Sequence, residues 1–62
     1  MCLSTVYRQV GEELQELASH VSSITAEGDS VTFTDIMGIS TTVEGSIESV
    51  DLVANKIVVK AA

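Results

Sequence analysis

Proline and tryptophan are absent from this chain of 62 residues, Tyr7 and Phe33 are its only aromatic residues, and Cys2 is its only cysteine. One cysteine excludes an internal disulfide, and in a reducing compartment a lone thiol stays free. Positive charge is as scarce: Arg8, Lys56 and Lys60 stand against nine acidic residues, for a formal net charge of −6. A nucleic-acid binder draws affinity from Lys and Arg releasing counterions at phosphates, and three scattered cations with two aromatic residues argue against that class. The same imbalance disfavours anionic lipid surfaces and mildly favours free cations or a basic protein patch. No apolar run is long enough to span a bilayer, and the first residues lack the basic and apolar stretches of a secretory signal, so a cytoplasmic location is expected.

Catalytic arrangements are missing too. There is no Gly-rich phosphate loop, no Cys-x-x-Cys and no histidine cluster. A triad would have to be assembled from His20, Cys2 or a serine, and an acid, a coincidence open to almost any chain. Glu12-Glu13 reads as a solvated pair, and His20, between Ser19 and Val21, as an exposed or hydrogen-bonded surface residue. No catalytic residue is assigned, and an enzyme is not expected.

What remains is a small folded chain, 45% hydrophobic and 19% charged. At this length, folding buries only roughly 60% of the surface exposed by the unfolded chain. Thin cores of this kind are commonly supported by disulfides, a metal or oligomerisation. With the disulfide excluded, a metal, a second subunit or both are expected.

No linker, repeat or low-complexity tract divides residues 1–62, which read as one domain punctuated by Gly11, Gly28, Gly38 and Gly45. Cys2 to Val10, with β-branched and aromatic Thr5, Val6 and Tyr7, suits a first strand. Leu14, Leu17, Ala18 and Val21 follow a helical spacing, which predicts at most one short helical turn after that strand. Val21 to Glu27 and Ser30 to Ile36 read as a hairpin about Gly28-Asp29, with Val31 and Phe33 pointing inward. Met37-Gly38 marks the next reversal. Ile39 to Val43 alternates as a strand until Gly45 bends the chain. Ile47, Val50 and Leu52 continue the pattern, Ala54-Asn55 turns, and Lys56 to Lys60 closes. This predicts an all-β fold of five to six antiparallel strands in a small open barrel, whose remaining edges could pair with another subunit. Tyr7 and Met37 read as core or interface residues.

Met1-Cys2 places a thiol beside a free backbone amine, where a metal can chelate both. One such end cannot satisfy a metal ion, whereas two brought together could. If Met1 is removed, the Cys2 amine and thiolate form a five-membered chelate, and two copies supply two nitrogens and two sulfurs. If Met1 is retained, its amine, the Cys2 amide nitrogen and the thiolate form linked rings, and the other copy's thiolate fills the fourth position. Four such donors in a plane suit divalent nickel or copper, while zinc prefers a tetrahedral site. Either form needs the thiol to ionise first. By residue type alone, a terminal cysteine also reads as a small buried apolar residue or an unremarkable exposed thiol.

The stretches MCLSTVY, AEGDSVTFTDIMG, TVEGSIESVDL and NKIVV together span nearly the whole chain. They resemble the CooT family of small nickel-binding proteins, also described as predicted RNA-binding proteins. The resemblance is most specific at Cys2, at Glu27-Gly28-Asp29, and in Val43-Glu44-Gly45 leading to Val50-Asp51-Leu52. It implies an Sm-like (SH3-like) β-barrel that forms a homodimer, with Cys2 as the ligand of Ni(II). It also implies a metallochaperone-like role in carbon monoxide dehydrogenase maturation, with that enzyme or its other maturation factors as partners. An Sm-like RNA-binding module is the alternative.

Overall fold

The computed structural model describes residues 3–61. Its strands are β1 (Ser4–Val10), β2 (Glu13–Glu27), β3 (Ser30–Asp35), β4 (Ser40–Asp51) and β5 (Lys56–Ala61), joined in the order β1-β2-β3-β4-β5 into a closed barrel. Among the described residues no helix is long and apolar enough to cross a membrane.

The predicted reversals are where the sequence puts them. Gly28-Asp29 joins β2 to β3, with Gly28 at φ 60 and Glu27 paired to Ser30. The β3–β4 reversal spans residues 36–39, and residues 52–55 join β4 to β5. Val31 and Phe33 point inward at 0% and 1% exposure. With Val6, Val21, Ile57 and Val59 they form the core, flanked by Leu17, Ala18, Ile24, Val43 and Ile47. On the outer face of β3 and β4, hydroxyls pair across the strands, Thr32 with Thr42 at 2.9 Å and Thr34 with Ser40 at 2.8 Å.

The helical turn is not formed. Glu13 to Ser19 is instead the first half of β2, a strand of 15 residues. Its pairing with β1 slips between Ser4 and Val6 and again between Val6 and Tyr7, where β2 carries an extra residue each time. Each such bulge moves the two-residue alternation along by one. Leu17 and Ala18 therefore both reach the core although adjacent in sequence, and an alternation interrupted twice imitates a helical period. The bulges also bend β2, so that its first half pairs with β1 and its second half with β3.

The barrel is closed rather than open. β1 lies parallel to β5 from Thr5↔Lys56 to Gln9↔Lys60, while the other four strand pairs are antiparallel. Every strand thus has a neighbour on both sides, and the free edges expected from the sequence are consumed by β1 and β5 pairing with each other. Alternation of residues within a strand carries no record of which distant strand it meets. Gly45 does bend the chain without ending the strand. β4 pairs with β3 up to Glu44 and with β5 from Gly45 onward. Gly45, at φ 151, marks the change of partner and donates its N–H to the Asp29 carbonyl at 2.7 Å.

Candidate metal centre

Met1 and Cys2, the two residues singled out as ligands, lie outside the described residues. The structure does define the frame from which they extend. Leu3 is half-buried, and Ser4 opens β1 opposite Val21 of β2. Thr5 donates its N–H to the Asn55 carbonyl at 2.9 Å, and Thr5 pairs with Lys56. The start of β1 is therefore held between the bend of β2 and the turn that precedes β5.

At this rim lies an apolar hollow of about 230 Å³, lined by Ser4, Val21, Ile24, Val50, Leu52 and Ile57 among others. Leu52, which lines it, is 80% exposed, and the neighbouring Val53 97%. Asp51 shapes their turn, its Oδ1 accepting the N–H groups of Val53 at 3.0 Å and Ala54 at 2.9 Å.

His20 is exposed, and its Nδ1 shares a hydrogen bond with Ser19 Oγ at 3.2 Å. It occupies the left-handed region at φ 58, in the part of β2 where the first slip against β1 falls. Its carbonyl accepts the Ile36 N–H at 3.1 Å, and it lines a second hollow of about 240 Å³ with Ser19, Asp35, Ile36 and Met37. Met37 is 81% exposed and belongs to no core. Among the described residues no three His, Cys, Asp or Glu side chains group to hold a metal ion.

Charge is segregated along the sequence. All nine acidic residues fall between Glu12 and Asp51, a stretch without Lys or Arg. Arg8, Lys56 and Lys60 sit on β1 and β5, which the closure makes neighbours. Lys56 Nζ lies 5.7 Å from the centroid of the Tyr7 ring, a contact that holds part of this positive seam against the barrel. In space the two signs meet, since Asp51 pairs with Lys56 across β4 and β5, and Glu16 of β2 pairs with Tyr7, next to Arg8, on β1.

The model of a protein family described as "CO dehydrogenase accessory protein CooT" matches residues 1–60. A comparison with curated proteins finds no match. Among solved structures, the crystal structure of "putative CooT from Carboxydothermus hydrogenoformans" superposes with a TM-score of 0.89 at 15% identity, over 98% of this chain and 98% of that one. At that identity the superposition speaks for the fold.

Proposed function

The chain belongs to the CooT family of CO dehydrogenase accessory proteins, and from that premise we propose that it is a non-enzymatic nickel carrier. It holds one Ni(II) between two copies of itself through the Cys2 thiolate of each, with backbone nitrogen from Cys2 or from a retained Met1 amine. What supports this reading is that Cys2 comes two residues before Ser4 in the sequence, that Ser4 lines an apolar hollow, and that the described residues hold no group of three or more His, Cys, Asp or Glu.

The closed ring leaves side-chain surface, not strand edges, as the means of pairing. Leu52 and Val53, with half-exposed Val50, provide it beside the start of β1. Two copies joined there remove apolar surface from water, worth about 25 cal/mol per Å². A site formed by two chain ends suits transfer, because a recipient can exchange the ligands one at a time. The recipient is a CO dehydrogenase under maturation, and the carrier works in the cytoplasm.

Native mass measurement tests the arrangement. The expected species is two chains with one nickel. Leu52→Glu combined with Val53→Glu, at positions too exposed to carry the fold, is expected to give monomer and to weaken nickel binding at least about tenfold. A variant still dimeric at micromolar concentration overturns the assignment of this surface, and one nickel per chain overturns the shared site.

The RNA-binding reading predicts a different result. With three cations confined to β1 and β5 and two aromatic residues, of which Phe33 is buried, no platform for base stacking is formed. Titration with mixed RNA at low salt is expected to show no saturable binding at micromolar concentration. Saturation in that range would restore RNA as the ligand.

A further inference from the structure

We draw no further inference here: the strongest candidate, the exposed apolar β3–β4 turn of Ile36, Met37 and Ile39 at the rim of the barrel, carries nothing, because nothing in the structure shows what covers it.

Discussion

Cys2→Ser is expected to abolish the thiolate-to-nickel absorption bands and to lower nickel affinity by more than about a hundredfold. Loss of a residue that merely orients a ligand costs about 10- to 100-fold, and this variant loses the ligand atom in both copies at once. A serine hydroxyl does not ionise near neutral pH and is a hard donor, poorly matched to planar nickel. Serine is nearly the same size and shape as cysteine, so folding and dimer mass are expected to stay as in the wild type. Wild-type affinity should also fall in acid. Only the thiolate is a competent ligand, so wherever the thiol is protonated binding must displace its proton, at up to about tenfold per proton for each pH unit. Nickel affinity unchanged in the variant, or unchanged between pH 8 and pH 6 in the wild type, would sink the thiolate site.

Gly45→Ala is expected to destabilise the barrel by at least about 3 kcal/mol, two causes acting together. At φ 151 the backbone is in a region that side chains avoid, at about 1–3 kcal/mol. Its Cβ would also run into the Lys60 carbonyl and the Ala61 backbone on β5. The obstacle is main chain in a paired strand, so relief requires parting β4 from β5 where Gly45 pairs with Ala61. In a barrel whose core supplies only about 3–5 kcal/mol, this leaves a large unfolded fraction at room temperature. Gly28→Ala is the control. Gly28 is also left-handed, at φ 60, but an added Cβ meets open space, so the cost is the backbone strain of about 1–2 kcal/mol alone. Chemical denaturation of both variants checks the contrast, and equal midpoints would refute the role given to Gly45.

The contrast between these two glycines bears on what a sequence can disclose. Gly28-Asp29, Met37-Gly38 and Ala54-Asn55 act locally, through turn chemistry legible in a few adjacent residues, and all three fall at reversals of the chain. The inward set Val31 and Phe33 follows from alternation on the same scale. The first half of β2 was obscured because bulges break alternation, and closure was obscured because Thr5↔Lys56 joins residues far apart in sequence. For the metal centre, residue type singled out Cys2 as one reading among several, and the resemblance selected it. The apolar rim of Leu52 and Val53 could not be foreseen, since in the linear chain Leu52 simply continues the pattern of Ile47 and Val50.

The parallel pairing of β1 with β5 orders events during synthesis. Ser4 and Thr5 rest against the turn and strand made last among the five, so a nascent chain lacking them has nowhere to seat its leading segment. Contacts that span nearly the whole sequence form slowly and only when both participants exist. The opening of β1 is thereby seated only after β5 has left the ribosome, and closure of the ring becomes a property of all five strands together rather than of any fragment.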